Sequence, residues 1–145
     1  MVLVHIYCST SGCGAPWWLA QGAVISNNSI GSNIAPNGFP CSYEGDYGLT
    51  AATIDAIVGG SLGDPIVIFW AAGNERSGFG GCGSSYNPSP PPGNNKNAIT
   101  VGALNSNDDS VTSFTSFGPS DDGRIRPVIA APGCQSGGDG GVTSL

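Results

Sequence analysis

Hydrophobic residues fall into five short runs separated by long polar segments, and the runs predict the strands of a parallel sheet. The clearest run is Ile-Val-Ile-Phe-Trp at residues 66–70, preceded by Asp64 and Pro65 and ended by Gly73. Five consecutive large apolar residues indicate a strand buried on both faces, as in parallel sheets covered by helices. Because such sheets bind ligands at the carboxyl ends of their strands, the next residue, Asn74, is the first candidate for chemistry.

Four further runs predict strands, and two segments predict helices. The strands lie within residues 2–7, 22–31, 98–104 and 126–133, and Gly102 marks a place of close packing. The clearest helix covers residues 46–60. Asp46 is its expected N-cap, Gly59 and Gly60 end it, and its apolar residues recur at i, i+3 and i+4 (Ile54, Ile57 and Val58). A second, short helix is predicted at residues 16–21.

Composition favours one globular domain with long ordered loops. The chain has 145 residues, of which 24 are Gly and 11 are Pro, and apolar runs separate these loop-rich segments. Its net charge is −6 with four Lys and Arg, which argues against nucleic acid and anionic membranes as partners. No run approaches the roughly 20 apolar residues of a membrane span. The first seven residues lack a signal peptide's basic region, so we expect any export signal to lie outside this chain.

Cysteine and the charged residues give weaker signals. The five cysteines lie mostly in Gly-rich loops, which favours disulfides, and their odd number leaves at least one thiol free or paired outside the chain. His5 is the only histidine, and its place in an apolar run favours a packing role over a catalytic one. No cofactor is expected. Calcium is conceivable at four aspartates, but their spacing does not support it: Asp108, Asp109, Asp121 and Asp122.

Five separated strings resemble subtilisin-like serine peptidases and occur in that family's order. They are Asn-Ser-Ile-Gly at 28–31, Ala-Ala-Gly-Asn at 71–74, Asn-Ala-Ile-Thr-Val-Gly-Ala at 97–103, Ser-Phe-Thr-Ser-Phe-Gly at 113–118, and Gly-Arg-Ile-Arg-Pro at 123–127 followed by Ala-Pro-Gly at 131–133. The resemblance covers residues 22–133, with the first 21 residues weakly matched and a Gly-rich tail at 134–145. It implies an α/β fold: a three-layer subtilisin-like parallel sheet with helices on its faces, of which this chain holds the incomplete central part.

The resemblance also implies roles for seven residues. Asn74 matches the asparagine whose side-chain amide donates to the oxyanion of the tetrahedral intermediate. Ser29, Ile30 and Gly31 match the extended segment that pairs with the substrate backbone. Ala71, Ala72 and Gly73 match one wall of the pocket for the residue before the scissile bond. The partner would be a peptide or protein substrate, and the parent protein would be secreted or periplasmic.

The family's catalytic triad motifs are absent from this sequence. His5 is not followed by Gly-Thr-His, no aspartate strand matches the family's, and no Gly-Thr-Ser-Met-Ala string occurs. Val128 also stands where the family has Asp after Lys/Arg-Pro, which puts one local loop contact in question. The chain therefore resembles the substrate-side walls and oxyanion donor of the peptidase without its nucleophile, base and orienting acid.

Three functions follow from these observations. The first is an internal fragment of a subtilisin-like endopeptidase, inactive in peptide hydrolysis alone. The second is a non-catalytic module that binds peptides along residues 29–31 or self-associates through exposed sheet edges as a homo-oligomer. The third is an esterase-like hydrolase with a site rebuilt from a serine and His5, although the sequence has no Gly-x-Ser-x-Gly elbow.

Overall fold

Each of the five predicted apolar runs forms a strand of one parallel sheet. The computed structural model describes residues 3–5, 23–78, 81–83 and 88–134. The strands are β1 (Leu3–His5), β2 (Ile25–Asn28), β3 (Val67–Ala71), β4 (Ile99–Asn105) and β5 (Ile129–Cys134). They lie side by side in the order of the chain, and each neighbouring pair is parallel. The predicted α/β architecture with a parallel sheet is confirmed.

In the described ranges, the α-helix α1 (Leu49–Val58) connects β2 to β3 and packs on the sheet. The predicted apolar stripe is confirmed, because Ile54 is buried against Ile68 and Trp70 while Ile57 and Val58 pack on the same cluster. Two single-turn 3₁₀ helices, Cys41–Tyr43 and Glu75–Ser77, follow β2 and β3. No helix in the described ranges is long and apolar enough to cross a membrane. The short helix predicted at residues 16–21 lies outside them.

The start of α1 differs from the prediction. Asp46 is not its cap, since Gly48 occupies the N-cap position and no side chain hydrogen-bonds there. Asp46 instead closes the turn after the first 3₁₀ helix, where its N–H donates to the carbonyl of Tyr43 at 3.3 Å. The chain between that turn and Leu49 carries Tyr47, whose ring reaches along the helix to Asp55. The predicted end is confirmed, with Gly59 as the C-cap.

The two faces of the sheet differ sharply in burial. Side chains that point toward α1 form the covered face, and those described on β2, β3 and β4 are nearly all buried: Ser26, Asn28, Ile68, Trp70, Thr100 and Gly102. Alternate residues form the open face, and none of these is buried: Ile25, Asn27, Val67, Phe69, Ala71, Ile99, Val101, Ala103, Ile129 and Ala131. The described residues therefore form the sheet and one of its covering layers.

The β2–β3 and β4–β5 connections return over the covered face. In a sheet whose strands run in chain order, right-handed crossovers all lie on the same side, and α1 shows which side that is. The β4–β5 connection obeys this rule: a Cβ on Gly102 would lie 2.7 Å from Pro127 and 3.4 Å from Thr115. Gly102 therefore permits the close packing that its position in a strand predicted.

Asp55 joins α1 to the turn that leads into β4. Its carboxylate is buried and accepts hydrogen bonds from the N–H groups of Lys96 (2.8 Å) and Asn97 (2.7 Å) and from the Tyr47 hydroxyl (2.7 Å). The cation of Lys96 lies 4.4 Å from the centre of the Tyr47 ring. A single charged side chain thus satisfies backbone donors 41 and 42 residues away along the chain.

We expect Asp55→Ala to destabilise the fold by about 3 kcal/mol, because it removes the buried acceptor shared by the N–H groups of Lys96 and Asn97 and by the Tyr47 hydroxyl. Urea unfolding followed by circular dichroism measures this difference. Asp64→Ala, which removes an exposed carboxylate, is the matched control and should change stability by less than about 0.5 kcal/mol. Equal stability of the two variants would contradict the anchoring role of Asp55.

Candidate functional site

A cleft of about 460 Å³ lies at the carboxyl ends of the strands, where topology predicts a site. Residues from β2, β3, β4 and β5 and from the segments that follow them line it. Because the strands are parallel and adjacent, their ends meet along one edge of the sheet. Six of the seven residues proposed from sequence line this cleft: Ser29, Ile30, Gly31, Ala71, Gly73 and Asn74.

The seventh, Ala72, lies behind the cleft wall. It is buried, and its N–H donates to the carbonyl of Val101 at 2.9 Å, which extends the β3–β4 pairing by one residue. Ala72 therefore does not touch the cleft directly. It fixes the position of Ala71 and Gly73, which do.

Asn74 follows β3 by three residues, and its side chain makes no hydrogen bond within the described residues. It is exposed and occupies the N-cap position of the Glu75–Ser77 turn with φ −125° and ψ 22°. Its side chain makes no hydrogen bond to the cap or to any other described residue. The carboxamide is therefore available to donate to a group that enters the cleft.

Residues 29–31 form the facing wall of the cleft, and their backbone groups make no hydrogen bonds within the described residues. All three are exposed, and within the described residues none of their backbone N–H or C=O groups forms a hydrogen bond. The chain is fastened again at Ser32, whose N–H donates to the carbonyl of Pro91 at 3.3 Å. An open backbone row of this kind can pair with an added peptide strand.

Ser116 and Glu75 hold the turn that carries Asn74, and sequence reasoning gave neither residue a role. Ser116 accepts a hydrogen bond from the Glu75 N–H at 3.0 Å and donates its hydroxyl proton to the Glu75 carboxylate at 2.7 Å. Its own N–H donates to the Gly73 carbonyl at 2.9 Å. The only signal for Ser116 was its place in the string at 113–118 that resembles the family.

Gly73 is required by this packing. Its φ of +104° belongs to the region that favours glycine, and a Cβ there would collide with the Glu75 carboxylate and lie 2.9 Å from both Pro90 and Ser116. The turn between β3 and Asn74 is therefore closely packed on one side and open to the cleft on the other. This arrangement fixes the backbone of Asn74 without engaging its side chain.

A disulfide ties the loops behind the two cleft walls together. Cys41 and Cys82 are bonded with their Cα atoms 5.4 Å apart, across 41 residues of sequence. Beside it, a Cβ on Gly81 would lie 2.9 Å from the Cβ of Ala35, so the two loops also pack closely. Cys134 has a free thiol, whose Sγ donates to Asn105 at 3.4 Å. The expectation of a loop disulfide is confirmed for this pair, while Cys8 and Cys13 lie outside the described residues.

Glu44 lies close enough to Glu75 for the two carboxyl groups to interact. Burial first, and then the charge of Glu75, raise the pKa of Glu44 above its ordinary value. The Oε1 atom of Glu44 is buried and has no hydrogen-bond partner in the described part of the chain. Ionisation of Glu44 is therefore less favourable in the folded than in the unfolded chain.

The described residues hold no group of three His, Cys, Asp or Glu side chains that could bind a metal ion. Asp108 accepts hydrogen bonds from Ser110, and Asp122 pairs with Arg124 at 2.8 Å, which lowers the Asp122 pKa to about 2. His5 lies in β1 opposite Asn27, a cleft residue, but its side chain is outside the described part of the structure.

The family model of the subtilase family matches residues 8–145, which is nearly the whole chain. The chain therefore belongs to the subtilase family of serine peptidases, as its motifs predicted. Comparison with curated proteins found no match.

We expect Glu44→Gln to stabilise the protein at neutral pH and to have little effect in acid. The raised pKa means that folding favours the protonated carboxyl, so its contribution to stability is present below the ordinary glutamate pKa and is lost as pH rises through the raised value. Urea unfolding from pH 4 to pH 8 measures the difference between variant and parent.

The Asp64→Asn variant, which removes one exposed negative charge, controls for the change in net charge. A difference between Glu44→Gln and the parent that does not grow with pH would contradict a raised pKa at Glu44.

Proposed function

We propose that this chain supplies the substrate cleft and oxyanion donor of a subtilisin-like serine endopeptidase. One observation carries the proposal: the free carboxamide of Asn74 and the free backbone of residues 29–31 line the same cleft. The first can donate to an anionic oxygen, and the second can hold a peptide in extended form. Membership in the subtilase family supports this pairing of roles.

A substrate would lie with its backbone along residues 29–31 as an added strand. Its side chain before the scissile bond would face the wall at Ala71 and Gly73, which has only small side chains and so leaves room for it. The scissile carbonyl would then point toward Asn74. Specificity would come from the wall and affinity from the backbone hydrogen bonds.

Asn74 would act by preorganisation. Ser116 and Glu75 fix the backbone of the turn before any substrate binds, so only the side-chain torsions of Asn74 would have to adjust when negative charge develops on the oxygen. Loss of one such donor lowers the catalytic rate by about two to three orders of magnitude, a value measured in subtilisin itself. A neutral amide suits this role because its N–H donates a hydrogen bond without transferring its proton.

The chain alone would not hydrolyse peptides, because the sequence lacks the family's nucleophile, base and acid motifs. An oxyanion donor stabilises a tetrahedral intermediate but does not form one. A secreted parent protein is part of the proposal, supported by the Cys41–Cys82 disulfide, since such bonds persist in oxidising compartments. No cofactor is assigned.

The proposal of Asn74 as oxyanion donor is tested with two hexa-alanine peptides, one of which has its central amide replaced by an anionic, tetrahedral phosphonamidate. We expect Asn74→Ala to weaken binding of the phosphonamidate by about tenfold or more and to leave binding of the amide peptide nearly unchanged. Isothermal titration calorimetry measures both affinities.

Asn107→Ala, which truncates an exposed asparagine in a turn outside the cleft, is the matched control. An equal loss for both peptides would assign Asn74 to ground-state binding only. No loss for either peptide would remove Asn74 from the site.

A fluorophosphonate probe tests the absence of a nucleophile, and we expect it to leave the chain unlabelled. Casein should also remain intact. Labelling at Ser29, Ser113 or Ser144, located by mass spectrometry of the peptides, would contradict the proposal and favour a rebuilt serine site. Loss of that labelling in His5→Ala would then identify the esterase-like alternative.

Binding without catalysis is the second candidate, and the free backbone of residues 29–31 favours it. The same calorimetry distinguishes the two candidates. A plain binding module would hold the amide peptide at least as well as the phosphonamidate, whereas a peptidase cleft would prefer the tetrahedral anion.

A further inference from the structure

Glu75 is the only charged residue among the described ones that line the cleft. It is 4% exposed, and its carboxylate packs beside Gly73, in the space that a Cβ on that residue would occupy. Gly73 belongs to the wall that the side chain before the scissile bond would face. A nearly buried carboxylate therefore lies at this wall.

No Lys or Arg of this chain forms an ion pair with the Glu75 carboxylate. Within the described residues, its side-chain hydrogen bond comes from the neutral hydroxyl of Ser116 at 2.7 Å. A charge that is removed from water without a counter-ion is costly, so a cation brought by a ligand is favourable here. The four Lys and Arg residues are all described and have other contacts: Arg76 with Thr112 and Phe117, Lys96 with Tyr47, Arg124 with Asp122, and Arg126 with Asn95.

Glu44 adds a second carboxyl group to this region. The charge of Glu75 contributes to the raised pKa of Glu44, so the two groups interact. The Oε1 atom of Glu44 is buried and has no hydrogen-bond partner in the described ranges. The two carboxyl groups repel each other when both are ionised. A cation beside Glu75 would offset this repulsion, whereas an anion would add to it.

We propose that the cleft selects peptides with a basic side chain immediately before the scissile bond and that Glu75 determines this preference. The inference rests on the proposed function, because residues 29–31 and Asn74 set the position of the peptide. The four-carbon stem of a Lys would lie along the small side chains of the wall, and its ammonium would approach the Glu75 carboxylate. An apolar side chain would fill the same space but leave Glu75 without a counter-ion.

Isothermal titration calorimetry with the 145-residue chain tests this preference. The probes are three phosphonamidate peptides that differ only in the residue before the phosphorus atom, which is Lys, norleucine or Glu. Norleucine keeps the apolar stem and lacks the ammonium. We expect the Lys peptide to bind about tenfold or more tighter than the norleucine peptide, because only Lys brings a counter-ion to Glu75. The Glu peptide should bind more weakly than either.

Glu75→Gln removes the charge but keeps an oxygen that can accept the hydrogen bond from the Ser116 hydroxyl. It should bring the affinities of the Lys and norleucine peptides to within about twofold of each other. Asp64→Asn is the matched control, because it removes an exposed carboxylate at the amino end of β3, opposite the cleft. It should keep the Lys preference of the parent chain. Circular dichroism confirms that both variants are folded.

A fourth peptide, with norleucine before the phosphorus atom and Lys as its first residue, controls for general attraction to a chain of net charge −6. We expect it to bind like the norleucine peptide. This comparison uses the parent chain alone, so it does not depend on how any variant folds.

Equal binding of the Lys and norleucine peptides by the parent chain would overturn the inference. A Lys preference that survives Glu75→Gln, or that the displaced Lys reproduces, would overturn it as well. These results leave the proposed function intact, which fails instead if Asn74→Ala does not weaken binding of the norleucine phosphonamidate. Absence of binding by all the peptides would overturn both.

Discussion

Parallel pairing on both sides of β3 is the constraint on which the site depends. Val67–Ala71 pairs with β2 on one side and β4 on the other, and every strand of the sheet points the same way. The segments after β2 and β3 consequently leave the sheet at the same edge. They bring residues 29–31 and Asn74 into one cleft although more than 40 residues separate them along the chain.

The role proposed for Asn74 would require rigid walls, because a hydrogen bond to a developing charge is most effective when its donor is already in place. Contacts behind the walls hold the backbone on both sides of the cleft. Ser116 and Glu75 hold the turn on one side, and the Cys41–Cys82 disulfide fastens the loop on the other. Farther back, Asp55 holds α1 against the start of β4. Within the described residues, the Asn74 side chain and the backbone of residues 29–31 are left free of internal hydrogen bonds.

Much of the fold followed from the sequence because apolar runs report burial directly. Residues 66–70 predicted β3, and the spacing of Ile54, Ile57 and Val58 predicted the inner face of α1. The candidate site at the end of β3 was predicted from topology, and the roles proposed for its residues come from the family resemblance. The helix cap was harder to predict, because Asp46 lies near the start of α1 but Gly48 occupies the N-cap position. The hydrogen bonds from Asp55 to the turn before β4 join segments far apart in sequence, so only the tertiary structure shows them.

Other contacts had no local signal at all. Cys41 and Cys82 are two of five cysteines whose pairing cannot be derived from spacing, and Ser116 is one of many serines in loops. The sequence also did not predict the open face, because a run of five apolar residues indicates a strand buried on both sides whether or not a covering layer is present. In the structure, Val67 is exposed and its neighbour Ile68 is buried, so one face of the strand is covered and the other is open. The sequence pattern alone does not show this difference.

The open face and the cleft are parts of one surface, so any layer that packs on this face has a consequence for binding. Six side chains of the open face also line the cleft: Asn27, Phe69, Ala71, Val101, Ala103 and Ala131. Any layer on the face would therefore stand beside a peptide bound along residues 29–31 and would form a further wall of the cleft. A layer that leaves room for the peptide would strengthen peptide binding, and a layer that fills the cleft would weaken it. In either case the peptide would change the affinity of the layer for the sheet by the same factor. The role proposed for Asn74 would therefore depend on any layer that packs on this face.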